Sequence, residues 1–164
     1  MSILDTIHSK ILSSKTDMNR ILSYYRFRNY KIVFTNGCFD IIHRGHVEYL
    51  SKAADMGDVL IIGLNTDQSV KRLKGNTRPV VDQESRALVL ASLKFVANVI
   101  YFDQDTPLEL IKIVKPDVLV KGSDYKEEDI IGADFVKQNG GIVNTVELTP
   151  GFSTSDIISK ILSA

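Results

Sequence analysis

His43 and His46 stand three residues apart, with Gly45 between them, in the segment Thr35-Asn36-Gly37-Cys38-Phe39-Asp40-Ile41-Ile42-His43-Arg44-Gly45-His46. The chain has only three histidines, so this one segment holds most of its imidazole chemistry. An imidazole can donate a hydrogen bond to a phosphate oxygen. Gly45 removes a side chain that would block a ligand's approach to the backbone. Lys31-Ile32-Val33-Phe34, just before, has the character of a buried strand, and Val47 to Ala54, just after, that of a helix start. A strand that ends in a glycine-containing loop and opens a helix is a natural anion site, because the helix N-terminus directs unpaired N–H groups outward. The chemistry expected is therefore phosphate binding. Zinc needs three or four ligands at suitable spacing, and the other soft candidates, Cys38 and His8, sit at awkward positions.

Other cations and hydroxyls qualify by position. Lys71-Arg72-Leu73-Lys74-Gly75-Asn76-Thr77-Arg78-Pro79 is basic and rich in turn formers, so it is expected to be a loop. Taken alone it is a solvated loop; on the same edge of a sheet as the histidines, Lys71, Arg72 and Lys74 could close over a polyphosphate. Arg86 is either a surface residue or reaches the same anion. Asn65-Thr66-Asp67 either caps a helix or turn or brings Asp67 to a site. Lys121 ends an apolar run and is followed by glycine, and a lysine lining a crevice needs a partner that a phosphate could supply. Ser153, Thr154 and Ser155 open the last helix, as redundant caps or as hydroxyls aimed at phosphate oxygens. No G-x-G-x-x-G and no Walker lysine loop occurs, which disfavours hydride transfer and P-loop chemistry.

The elements that must position these residues follow from the apolar pattern. Strands are expected at 31–35, 58–64, 98–102, 117–121 and 142–147, each nearly continuously apolar, as in a parallel sheet covered on both faces. Helices are expected between them, at about 46–56, 83–96, 107–114, 130–138 and 154–162. Thr106-Pro107-Leu108-Glu109 gives one helix a cap, a first-turn proline and an acidic first turn. The alternation predicts a doubly wound, Rossmann-like α/β fold with a five-stranded parallel sheet in the order 3-2-1-4-5. Its switch point would bring the 35–46 segment beside Lys121-Gly122-Ser123-Asp124-Tyr125. Residues 1–30 are expected to form a separate helical extension: Ile3, Ile7 and Ile11, with Leu4 and Leu12, recur at helical spacing, and Thr16-Asp17 can cap a second helix. They would pad the core or, alternatively, form a homo-oligomer contact. Residues 31–164 form the main domain.

Composition bounds the function. At 164 residues, 44% of them hydrophobic, the chain can bury a core as one domain. The formal net charge is zero, so no global field draws it to nucleic acid or to anionic lipid, and any bound anion needs a local cluster of cations. One cysteine precludes an internal disulfide, in keeping with a reducing compartment. Neither a signal peptide nor a membrane span is apparent, and a cytoplasmic location is expected.

The segment Gly37 to His46 resembles the signature of the cytidylyltransferase-like nucleotidyltransferases, whose H-x-G-H follows the first strand, and Ser153-Thr154-Ser155 resembles their second signature. A closer resemblance covers nearly all of residues 31–162. Thr35 to Asp40, Arg72-Leu73-Lys74-Gly75, Arg78-Pro79-Val80, Asp105-Thr106-Pro107, Pro116 to Gly122 and Asp124-Tyr125 together resemble the D-glycero-β-D-manno-heptose 1-phosphate adenylyltransferases. That resemblance implies a reaction of ATP with heptose 1-phosphate, with Mg²⁺, giving ADP-heptose for the lipopolysaccharide core. It also implies a separate sugar kinase upstream, since no kinase segment is present. Relatives commonly carry Ser-Thr-Thr where this chain has Ser-Thr-Ser, which keeps the hydroxyl.

On this reading the sugar phosphate attacks the α-phosphorus of ATP in line. Such a step asks for positioning and charge neutralisation rather than a covalent nucleophile. His43, His46, Lys74 and Lys121 are the expected catalytic contacts. Thr35, Asn36, Gly37, Phe39, Gly45, Asp67, Lys71, Arg72, Arg86, Ser153, Thr154 and Ser155 are the expected nucleotide-binding set. Mg²⁺ would be held by phosphate oxygens and water, with no protein ligand assigned. A cytidylyltransferase acting on glycerol 3-phosphate and a non-catalytic nucleotide-binding module stay open as alternatives. A class I aminoacyl-tRNA synthetase does not, because the chain is too short and shows no tRNA-binding region.

Overall fold

The structure, a computed structural model, describes residues 2–163. Six strands form one parallel sheet: β1 (Ile11–Leu12), β2 (Ile32–Gly37), β3 (Val59–Asn65), β4 (Val96–Phe102), β5 (Val118–Gly122) and β6 (Ile142–Val146). Their order is β1-β4-β3-β2-β5-β6. Around them lie α1 (Ile3–Ser9), α2 (Lys15–Phe27), α3 (Arg44–Ala54), α4 (Asp67–Lys74), α5 (Gln83–Ser92), α6 (Leu108–Val114), α7 (Ala133–Gln138) and α8 (Thr154–Leu162). Among the described residues no helix is long and apolar enough to cross a membrane.

The period-2 geometry of the strands sorts the apolar residues into two cores. Ile32, Phe34 and Ile61 point to one face, against Leu22 of α2, Ile111 of α6 and Val136 of α7. Val33, Leu60 and Ile62 point to the other, against Leu50 of α3 and Leu90 of α5. Burial on both faces accounts for the lack of polar alternation in β2 and β3. Gly63 of β3 serves this packing: a Cβ there would come within 2.8 Å of the Phe34 ring.

The five expected strands stand in the expected order, and the sheet has a sixth. Ile11 and Leu12, assigned above to a helical stripe, instead pair with Val99 and Ile100. The edge of β4 offers unpaired backbone groups there. Asn98 fixes the join, donating its side-chain amide to the Lys10 carbonyl and accepting from the Tyr25 hydroxyl at 2.7 Å. The segment 67–74 is likewise a helix where a loop was expected from residue 71. Thr66 caps it by accepting from the Ser69 N–H, but α4 buries only Ser69 and Val70, too little for a visible apolar stripe. Several boundaries also differ: α3 runs from Arg44 to Ala54 and β4 begins at Val96. α5 ends at Ser92, before β4. α6 begins at Leu108, with Pro107 rather than Thr106 at the cap position. α7 begins at Ala133, because Gly132 adopts φ 90°, a conformation that ends the preceding turn.

Candidate active site

β2 and β5 are neighbours, with Val33 opposite Val118 and Phe34 opposite Leu119. Their connections leave in opposite directions, so a crevice forms beyond their carboxyl ends. There a cleft of about 320 Å³ is walled by the end of β2, the start of α3, Lys74, the end of β5 with the turn after it, and the start of α8.

His43 occupies the N-cap position of α3 and its side chain makes no capping bond, which leaves the N–H groups of Arg44 and Gly45 free for a ligand, while that of His46 donates to the His43 carbonyl. The loop leading to it is tightly wound, with Phe39 at φ 46° and Ile41 at φ 50°. Bulky and β-branched residues rarely adopt such angles, and strain of this kind persists where surrounding structure enforces it. The rings of His43 and His46 stack at 3.9 Å between centroids, 28° apart, and the Phe39 ring abuts His46 at 5.4 Å. Nδ1 of both rings is buried without a partner among the described residues, and both residues line the cleft.

Burial pushes His46 down to about 4, with the nearby His43 and Lys74 adding to the effect, and burial lowers His43 as well. Both imidazoles are therefore neutral near pH 7. A neutral ring protonated at Nε2 presents one N–H donor to the cleft without repelling its stacked neighbour. Gly45 makes the stack possible. A Cβ there would lie 3.1 Å from two atoms of the His43 ring and 3.1 Å from Cβ of Phe152. Its small size thus seats the His43 ring.

Opposite the histidines, Lys121 donates from Nζ to the Asn36 side-chain oxygen at 2.6 Å and lies 5.5 Å from the centre of the Tyr125 ring. Burial pulls its ammonium down to about 8, against the opposing pull of Asp124. An arriving anion would restore its full charge. Lys74, the last residue of α4, is exposed on the same cleft.

Of the residues expected at a nucleotide site, the cleft brings together Asn36, Gly37, Phe39, His43, Gly45, His46, Lys74, Lys121, Ser153, Thr154 and Ser155. Ser153 also caps α8, accepting from the Asp156 N–H at 3.0 Å, and the Thr154 hydroxyl donates to the Asp40 carbonyl at 2.7 Å.

Five expected residues do not line the cleft. Thr35 is wholly buried, its hydroxyl 2.7 Å from that of Tyr49, so it joins β2 to α3. The Arg86 side chain is 0% exposed and its donors are spent inside the protein, on the carbonyls of Val81, Cys38 and Asn65 and on Asp67. Asp67 is thereby the buried arginine's counter-ion, 2.7 Å away. Arg72 turns aside to Asp103 and Asp105, and Lys71 is an exposed residue of α4.

Asp40 and Arg78 line the cleft although neither was expected to. They form a nearly buried ion pair that no local motif announces, since 38 residues separate them. Burial alone would raise the Asp40 carboxyl, but the N–H groups of Val80 and Val81 and the Arg78 guanidinium outweigh it and hold the group below the usual carboxylate range. Tyr49, Asp124, Tyr125, Thr149 and Phe152 also line it. For Tyr49, Thr149 and Phe152 the signal was position alone, near the two expected signatures; Asp124 and Tyr125 belong to the loop expected to face them. Cys38 lies on the wall, but burial pushes its thiol up, which suits a structural rather than a nucleophilic role.

Among the described residues no three His, Cys, Asp or Glu side chains are grouped as a metal cage, and both Asp40 oxygens are taken. That donor set fits Mg²⁺ carried into the cleft on phosphate oxygens and water, as this ion prefers.

The chain is similar to several known proteins. The chain is 50% identical over 159 residues to the bifunctional protein HldE of Helicobacter pylori (strain Shi470), covering 97% of this chain and 33% of that protein. It is 54% identical over 152 residues to the bifunctional protein HldE of Campylobacter jejuni subsp. jejuni serotype O:2, covering 93% and 32%. The chain thus spans about a third of the length of these curated relatives. Among solved structures, a lipopolysaccharide core biosynthesis protein from Thermoplasma volcanium GSS1 superposes with a TM-score of 0.60 at 29% identity, covering 73% of this chain and 97% of that one. The pantoate-beta-alanine ligase of Francisella tularensis, at 17% identity and a TM-score of 0.57, covers 94% of this chain and 78% of its own, and shares the fold. Residues 34–160 match the cytidylyltransferase-like family, and the chain belongs to that family.

Proposed function

We propose that this chain transfers AMP from ATP to D-glycero-β-D-manno-heptose 1-phosphate, releasing pyrophosphate and giving ADP-heptose for the lipopolysaccharide core. The observation that carries the chemistry is the neutral, stacked pair His43 and His46, facing Lys121 and Lys74 across one cleft. The choice of sugar is supported by identity near 50% to the HldE proteins over almost the whole chain and by the likeness to a lipopolysaccharide core biosynthesis protein.

The acceptor's phosphate oxygen attacks the α-phosphorus, the bond from that phosphorus to the bridging oxygen breaks, and pyrophosphate leaves. His43 and His46 donate from Nε2 to the triphosphate and stabilise the charge that grows on the leaving group. Lys74 closes over the β- and γ-phosphates. Lys121, released from Asn36, spans the α-phosphate and the incoming phosphate, which would otherwise repel each other. The N–H groups of Arg44 and Gly45 and the Ser155 hydroxyl complete the anion site. Bound Mg²⁺ would neutralise phosphate charge and align the tail. A kinase would supply the sugar 1-phosphate, and the chemistry belongs in the cytoplasm, where ATP is available.

The test is pyrophosphate release in single turnover, with ATP or CTP crossed against heptose 1-phosphate or glycerol 3-phosphate. Turnover with ATP and heptose 1-phosphate exceeding the other pairs by at least tenfold is expected. Preference for CTP with glycerol 3-phosphate would replace the reading with an alcohol-phosphate cytidylyltransferase, and nucleotide binding without turnover would replace it with a binding module.

A further inference from the structure

A second cavity of about 470 Å³ lies on the far side of the Asn36–Cys38 turn. The two cavities share that turn together with Lys74, Lys121 and Tyr125. Beyond the shared wall their characters diverge. The first has the histidines and hydroxyls already described. The second has an apolar floor of Phe102, Pro107 and Ile130, all buried, and two carboxylates, Asp105 and Asp129.

Its charge is therefore graded, with ammonium groups at the shared wall and carboxylates away from it. The Asp129 carboxylate accepts no hydrogen bond among the described residues. Asp105 gives one oxygen to Arg72 at 2.9 Å and keeps the other free. Free carboxylates repel a phosphate but accept strongly from hydroxyl groups, two lone pairs to each oxygen. A triphosphate would be rejected at that end. A molecule with one phosphate head and a neutral polyhydroxyl body satisfies both ends together, and the apolar floor suits the C–H face of a sugar.

We propose that this second cavity is the acceptor subsite, and that Asp105 and Asp129 select the acceptor by bonding the hydroxyls of its sugar body. The proposal rests on the adenylyl-transfer reading above and adds the residues that set its acceptor specificity. Lys121, common to both cavities, then marks where the α-phosphate and the attacking phosphate meet.

Two measurements test it. Asp105 and Asp129 are exposed, so Asp129→Ala and Asp105→Ala are expected to fold normally. Steady-state kinetics should give a KM for heptose 1-phosphate raised about tenfold or more in each, the loss of one charged hydrogen bond, with the KM for ATP within twofold of the parent. Calorimetric titration of heptose 1-phosphate into the nucleotide-free protein should show the same loss without needing turnover. Unchanged acceptor KM and unchanged acceptor affinity in both variants would overturn the proposal, as would no binding of heptose 1-phosphate to the parent or an equal rise in the KM for ATP. Acceptor binding that depends on Asp129 in a protein that makes no pyrophosphate would sink the activity and leave the subsite standing.

Discussion

Asp40 and Arg78 meet at 2.7 Å, the carboxylate 1% exposed and the guanidinium 14%. The same carboxylate accepts the N–H groups of Val80 and Val81, and the Asp40 carbonyl accepts the Thr154 hydroxyl. One residue therefore fastens three segments of the cleft: the loop before α3, the strap at 78–81 and the start of α8. Removing one partner of a buried pair strands the other in low dielectric. Asp40→Ala is expected to lose about 3–5 kcal/mol in urea unfolding. Thr154→Val, which removes a single neutral hydrogen bond, should lose only about 1 kcal/mol. Equal losses would mean that the carboxylate is not the fastening.

The histidine pair predicts a pH dependence. Both imidazoles titrate below their ordinary value when folded, so the unfolded chain binds more protons in the interval between. Stability is complete above about pH 6.5 and declines as pH falls toward the folded value of His46, about 4. For His46 alone the loss is on the order of 3 kcal/mol. Urea midpoints taken from pH 8 to 4.5 should fall steeply in the parent and more gently in His46→Gln. Parallel curves would contradict the neutral stack. Asp40, whose carboxyl is held low, acts only below about pH 4 and so does not blur the window.

Arg86→Met separates a structural arginine from a ligand contact. The change strands the carbonyls of Val81, Cys38 and Asn65 and leaves Asp67 unpaired. Stability should fall by about 3–5 kcal/mol. At a temperature where the variant is folded, the KM for ATP should change by less than about threefold, because no donor of Arg86 reaches the cleft. A tenfold rise in that KM with little loss of stability would restore the anion contact.

Those contrasts show what was legible in the sequence. Ile32–Phe34, Ile61–Leu64 and Val118–Val120 are buried on both faces, so their unbroken apolar runs declared a parallel sheet. The expected switch point followed from that order and brought the His43–His46 segment to Lys121. What stayed hidden depended on partners distant in the chain. Arg86 sits in a pattern that is ordinary for an exposed helix face, and only folding delivers the three carbonyls that absorb it. Asp40 finds Arg78 in the same way. Ile11 and Leu12 obey a helical spacing yet take a strand, because the unpaired edge of β4 outweighs a two-residue preference. α4 escaped notice because a helix lying on the surface buries too little to mark its period.

Gly45→Ala should act on activity more than on stability. The added methyl group must displace the His43 ring or Phe152 by a few tenths of an ångström. A misplacement of about 1 Å at a reacting centre costs roughly 10² in rate, so a shift of a few tenths should lower kcat by about threefold to tenfold while the thermal midpoint moves by no more than a few degrees. Full activity in Gly45→Ala would mean that the seating of His43 is not critical.

Steady-state kinetics of His46→Ala bear most directly on the central claim, that neutral imidazoles at the start of α3 stabilise the leaving triphosphate tail. With ATP and heptose 1-phosphate, kcat should fall by about 10²–10³, the loss expected for one preorganised donor, while the KM for ATP changes little. A fall of less than threefold, or an unchanged kcat with a raised KM, would contradict that role.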